Sequence, residues 1–211
     1  MLVSVQADTP SIAELEQCLQ TSGLSLAEFS RRCRNWLEQR IGLLAEDMNL
    51  AMLLRAEGLW PDGTQETWRE PEATGRVFEQ SIGEQSIGEQ SIGTDWEVHL
   101  RLCSDSRIAC WNEQFRNCKQ ATDILSFPFA VPESSGGPGG DLLLSLHSWQ
   151  ANSREFGCDP DEELCRLLLH GLLHLTGWDH YADEEPRVPR SPMLLYQENL
   201  LKQHSQGILQ Q

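Results

Sequence analysis

Positive charge is scarce in this chain: 16 lysines and arginines stand against 32 aspartates and glutamates, a formal net charge of -16. Such a balance opposes attraction of the whole molecule to phosphate polymers, so a nucleic-acid partner would need a locally neutral or positive site. No Cys-x-x-Cys pair is present, and the seven cysteines form an odd set, which argues against both a disulfide framework and a thiolate zinc knuckle. They read as reduced thiols of a cytoplasmic protein. No apolar run approaches the roughly 18 residues of a membrane span. The opening "MLVSVQADTP" has neither the basic start nor the apolar stretch of a secretory signal. A cytoplasmic protein with no membrane partner is therefore expected. Histidine is scarce too, with six in 211 residues, which makes its distribution informative.

Three tandem copies of one pentapeptide, "EQSIGEQSIGEQSIG", occupy residues 79–93, with glycine recurring too often for a stable helix or strand. With the proline- and glycine-bearing approach "WPDGTQETWREPEATG", they define an irregular insert over 60–95. Ahead of it, residues 1–59 carry a strand, "LVSVQ", and helices in "SIAELEQCLQ" and "SLAEFSRRCRNWLEQRIGLL", where apolar residues recur at helical spacing after serine starts. Residues 96–204 form the core region and 205–211 a tail. "WEVHLRLC" alternates like a half-buried strand, and "SDSRIACWNEQFR" opens like a capped helix. "DILSFPF" and "DLLLSLH" read as strands on either side of a glycine and proline loop. Helices follow at about 147–156, from Pro160 behind the acids of "DPDEE", and in "MLLYQENLLKQ". Helices and strands mix without regular alternation, which predicts a single α+β domain, a small mixed sheet packed on helices.

"HGLLHLTGWDH", residues 170–180, holds three of the six histidines. The helix leading into it, "DEELCRLLLHGLLHL", is apolar nearly all round and so belongs in the core. His170 and His174 are four residues apart and share one face of it. Gly177 can take the left-handed conformation that ends a helix, and the turn can bring His180 to the same centre. Burying three imidazoles without a shared ion would leave ring nitrogens unpaired at about 1 to 3 kcal/mol each. The spacing therefore points to one divalent transition metal, zinc by preference, with a fourth position open to water. It also matches the longer zinc-peptidase frame, except that Gly171 stands where that frame has its glutamate base.

At this point the sequence resembles the YbeY family, metal-dependent endoribonucleases that act in ribosomal RNA maturation. Three blocks carry the resemblance: "HGLLHLTGWDH", "WNEQFRNCKQATDILSFPF" and "GGDLLLSLHS". It covers about residues 96–202. What it implies is a compact α+β fold with one zinc ion held by His170, His174 and His180. It further implies catalytic roles for His170 and for Arg116, which matches the family's functional arginine and could hold a scissile phosphate in bidentate fashion. The implied function is single-strand-preferring cleavage in ribosomal RNA maturation, at the 3' end of 16S rRNA, and in ribosome quality control. A ribosomal protein or the small ribosomal subunit is the implied docking partner. Between Trp96 and Ala130 four basic residues balance four acids, so the segment bearing Arg116 is formally neutral. This favours recognition of single-stranded loops over a basic groove.

Departures from that pattern are Lys119 at an acidic position, Trp111 in place of a leucine before Asn112, and prolines in "EEPRVPRSPM" that delay the last helix. Asp179 suits two roles equally, orienting a histidine ring or capping the turn. Trp178 reads as packing over the turn or as a base-stacking ring. Thr122 and Asp123 read as local backbone partners, His99 and His147 as ordinary strand histidines, and Ser126, Ser145 and Cys165 as neither nucleophiles nor ligands. Two further functions share the metal spacing: a zinc peptidase, and a non-catalytic ribosome assembly factor whose fold zinc stabilises.

Overall fold

The computed structural model describes residues 1–56, 96–129, 138–180, 190–203 and 207–209, without the side chains of 21 and 46–56. The EQSIG insert, the acidic segment 181–189 and His204 lie outside the described residues, as does most of the glycine and proline loop after Phe129.

Alternation in the first residues makes a strand, β1 (Leu2–Ala7), which turns Val3 and Val5 inward. The other strands are β2 (Glu97–Cys103), β3 (Ile124–Pro128) and β4 (Gly139–Ser145). They form one mixed sheet in the order β1-β2-β4-β3, with β1, β2 and β4 parallel and β3 antiparallel at the edge. Pairing register sets Val5, Leu100 and Leu142 side by side across three strands. Pro128, which cannot donate to a ladder, sits on the edge strand, where the sheet tolerates it.

Six α-helices accompany the sheet among the described residues: α1 (Ile12–Leu19), α2 (Leu26–Ala56), α3 (Asp105–Arg116), α4 (Leu146–Phe156), α5 (Pro160–Leu175) and α6 (Pro192–Gln203). The inward row of the sheet merges with Leu15, Phe29, Trp36, Trp149, Leu168 and Leu172 into the main core. α3 covers the opposite face, where Ile108 packs on Cys103, Leu125 and Leu143. Leu142, Leu143 and Leu144 are all buried, so β4 is covered on both faces. The single α+β domain with a small mixed sheet, expected from the sequence, is the fold observed.

α5 runs through the middle of this arrangement. Asp159 caps it by accepting from the backbone N–H groups of Asp161 and Glu162, Pro160 occupies its first turn, and three acids follow. Its interior is buried on nearly every side, from Leu164 to Leu175. Gly171 marks the closest approach to the sheet: a Cβ there would lie 2.8 Å from Leu142 Cδ2 and 3.0 Å from Ile124 Cδ1. One turn later Leu175 reaches β4 over Gly140, where a side chain would strike both Leu175 and the Phe127 carbonyl. These two glycines set the height of α5 above the sheet.

Residues 207–209 dock on the other end of α5. Buried Asp161 accepts from the backbone N–H groups of Ile208 (2.6 Å) and Leu209 (2.9 Å), Arg32 donates to the Leu209 carbonyl, and Ile208 is fully buried. None of the seven cysteines is in a disulfide. Burial pushes the thiols of Cys103 and Cys165 up to about 12, which leaves them inert at neutral pH. Among the described residues no helix is long and apolar enough to cross a membrane.

Candidate metal centre

His170 and His174 project from the last two turns of α5, and the chain then reverses to return His180 to the same place. The reversal has a local cause. Thr176 ends the helix, Gly177 takes a left-handed φ of 87°, and the N–H of Trp178 donates back to the Leu173 carbonyl at 3.1 Å. Asp179 Oδ1 accepts from the backbone N–H of His180 at 2.8 Å, the turn-forming contact of the two roles its type allows. The three ring centroids then lie 4.6, 5.2 and 5.4 Å apart, and one nitrogen from each ring falls within 4.8 Å of the others.

Hydrogen bonds at the back of two rings decide which nitrogens face the centre. The Trp178 carbonyl, an acceptor only, lies 2.9 Å from His174 Nδ1, so that nitrogen carries the proton. Gln197 of α6, buried in the core, presents Oε1 3.0 Å from His170 Nδ1, which makes Nδ1 the donor there as well. Both Nε2 atoms are then lone-pair acceptors, yet they face each other at 3.0 Å. Two lone pairs at that distance repel, and an electrophile shared between them removes the conflict. The donor set fits a divalent metal on this observation.

Electrostatics point the same way. Burial above all, then the neighbouring His174, His180 and Arg116, holds the pKa of His170 down at about 3. His174 is lowered too, chiefly by burial and then by His180. Neutral imidazole is the form that binds metal, so both rings are ready ligands at physiological pH. All three rings are half-buried, and among the described residues they are the only such group of histidine, cysteine or carboxylate ligands. Three histidine donors grouped in this way could hold one metal ion.

Arg116 is the last residue of α3, the helix that packs on the small core opposite the main one. Its position is held by Asn117, which turns the chain at φ 54°, and by buried Asn112, whose Nδ2 donates to the Gln120 carbonyl at 2.8 Å. It is exposed, and among the described residues no carboxylate lies within ion-pair distance of it. Its charge acts on both His170 and His174. Lys119, at the position of altered sign, pairs loosely with Glu113 at 3.5 Å.

The remaining candidates make side-chain contacts away from the three histidines. Asp123 accepts from the Ile124 N–H and from Asn152, and Thr122 donates to it. Ser145 caps α4 and donates to Asp105, which also meets His147 at 2.8 Å. His99 sits between Ser4 and Glu97. Trp178 stacks on Tyr196 of α6, with centroids 5.7 Å apart and planes at 19°, so its packing role is the one realised. Sequence reasoning missed Gln197 and Tyr196. Both lie in the amphipathic pattern of α6, and nothing local ties them to histidines more than twenty residues away.

The family profile described as Endoribonuclease YbeY matches residues 64–205. An endoribonuclease YbeY from Treponema denticola is 38% identical over 115 residues, covering 52% of this chain and 72% of the relative. One from Nautilia profundicola is 45% identical over 91 residues, covering 43% and 63%. A solution structure from Thermotoga maritima shares 29% identity over 51% of this chain and 66% of that one, with a TM-score of 0.35. With its profile match extending over more than half of the sequence, the chain belongs to the YbeY family.

Proposed function

We propose that this chain is a zinc-dependent endoribonuclease that cleaves unpaired RNA during ribosomal RNA maturation, at the 3' end of 16S rRNA, and in ribosome quality control. One observation carries the reading: two imidazole Nε2 lone pairs converge at 3.0 Å, with a third ring beside them. Membership of a family whose relatives are named endoribonucleases supports the choice of RNA as substrate.

His170, His174 and His180 would hold the ion, which when bound supplies a Lewis acid and a water of lowered pKa. Gln197 and the Trp178 carbonyl hold two of the rings in the tautomer that keeps Nε2 free to ligate. Arg116, with no carboxylate partner among the described residues, takes the scissile phosphate through two parallel N–H donors and stabilises the charge that grows on it. His170 stays neutral and keeps its ligand role through turnover. Gly171 provides no base, and a Cβ there would press on Leu142 and Ile124, which removes the support for a peptidase.

In a chain of net charge -16, docking would come from a ribosomal protein or the small ribosomal subunit, in the cytoplasm. The test compares purified protein with its His174→Ala variant for metal content, for folding by circular dichroism, and for cleavage of ribosomal RNA. Metal and cleavage should fall together while the fold survives. Undiminished RNA cleavage by metal-free protein would overturn the reading. Intact metal binding with no turnover of any RNA would favour a non-catalytic assembly factor.

A further inference from the structure

We propose that Phe115, at the surface of an aromatic cluster on α3 and β3, is the stacking site for an unpaired base of the RNA strand whose phosphate Arg116 holds. The inference rests on the ribonuclease reading above and names how that site recognises its substrate.

Phe115 is 53% exposed although apolar partners surround its base. Its ring lies nearly parallel to that of half-buried Trp111, 5.6 Å away with planes at 12°, and Phe127 meets it edge-on at 5.0 Å and 65°. Trp111 and Phe127 in turn pack on the small core beneath α3. The ring is therefore held in one orientation by two neighbours, while more than half of the residue stays in water. A flat apolar ring fixed in this way is suited to another flat ring, since base stacking on an aromatic face gains burial without needing a particular hydrogen-bond pattern.

Charge selects the kind of flat ring. Arg116 follows Phe115 directly and has no carboxylate partner among the described residues, whereas Arg107, 6.0 Å from the Trp111 ring, is paired with Asp8 at 3.0 Å. The segment around the cluster is formally neutral in a chain of net charge -16. An unpaired cation next to an exposed aromatic ring complements a strand that alternates phosphate and base. β3 links the cluster to the helix that carries the metal ligands: it holds Phe127 and, three residues earlier, Ile124, whose Cδ1 lies 3.0 Å from where a Cβ of Gly171 would stand, next to His170. Beyond it, the same face of the edge strand leads to Phe129, 39% exposed, with the His99 ring 5.9 Å away.

The test uses the full chain and a labelled single-stranded oligoribonucleotide, with each nucleotide made abasic in turn, read by fluorescence anisotropy and by steady-state cleavage. Phe115→Ala and Phe115→Leu should each weaken binding about tenfold, mainly in KM, while Phe115→Trp retains it. One abasic position should cost the wild type a similar factor and cost Phe115→Ala nothing further. Unchanged RNA affinity in Phe115→Ala would overturn the site and mark the cluster as a protein-docking face. Rescue by Phe115→Leu would reduce it to packing. RNA bound in a Phe115-dependent way but never cleaved would keep the stacking site and sink the ribonuclease reading. Normal cleavage with Phe115-independent affinity would do the opposite.

Discussion

Gln197 Oε1 lies 3.0 Å from His170 Nδ1, so a side chain on α6 sets the tautomer of a ring on α5. The amide is 2% exposed and its Nε2 leans on Glu198, which α5 grips through Arg166 at 2.9 Å. The last helix thus acts as a brace for the metal ligands.

Gln197→Leu should lower metal affinity by about 10- to 100-fold, since His170 loses the acceptor that orients it. Stability should fall by about 1 to 3 kcal/mol because the ring N–H is left buried and unpaired. Gln197→Glu keeps the acceptor and should keep most of the affinity. Competition against a chromophoric chelator measures the first effect and chemical denaturation the second.

Metal-free protein should lose stability as the pH falls from about 6.5 to about 3. Burial keeps folded His170 neutral down to about 3, whereas in the unfolded chain it takes up a proton near 6.5. Between those values the unfolded state binds more protons, so stability rises with pH across the window and is fully present above it. Denaturant midpoints of chelator-treated protein at pH 7, 5 and 4 should decline in that order, and His170→Gln should flatten the decline.

Gly171→Ala should cost about 1 to 3 kcal/mol despite the better helix propensity of alanine, because its Cβ would press on buried Leu142 and Ile124. Gly171→Glu, which restores the letter of the peptidase frame, should cost more through a buried carboxylate and should gain no peptide hydrolysis. Thermal unfolding and a mixed peptide pool check the two halves.

Asp161→Ala should destabilise the fold by about 2 kcal/mol while leaving metal affinity unchanged, since it strands the N–H groups of Ile208 and Leu209 far along α5 from the histidines. Unfolding midpoint and bound metal should therefore separate in this variant.

Local pattern was enough for the elements and for the ligand spacing. Strand alternation in "LVSVQ" and "WEVHLRLC", the serine and aspartate starts of the helices, and the four-residue step from His170 to His174 all rest on forces within one or two turns of chain. So does the glycine that turns the chain toward His180. The last helix, delayed by prolines, begins at Pro192 as its composition suggests.

The sheet order could not be read that way, because Val3 pairs with Val98 across 95 residues and no local periodicity names its partner. The same limit hid Gln197, Tyr196 and the docking of Ile208 on Asp161, which are hydrogen bonds and ring contacts between elements that meet only after folding. Asp179 suited a ring or a turn equally by type, and the observed contact is to the turn. Residue order alone named the side chains able to bind a metal. Which nitrogen of His170 faces that metal was settled only by folding, because its tautomer depends on an acceptor brought from another helix.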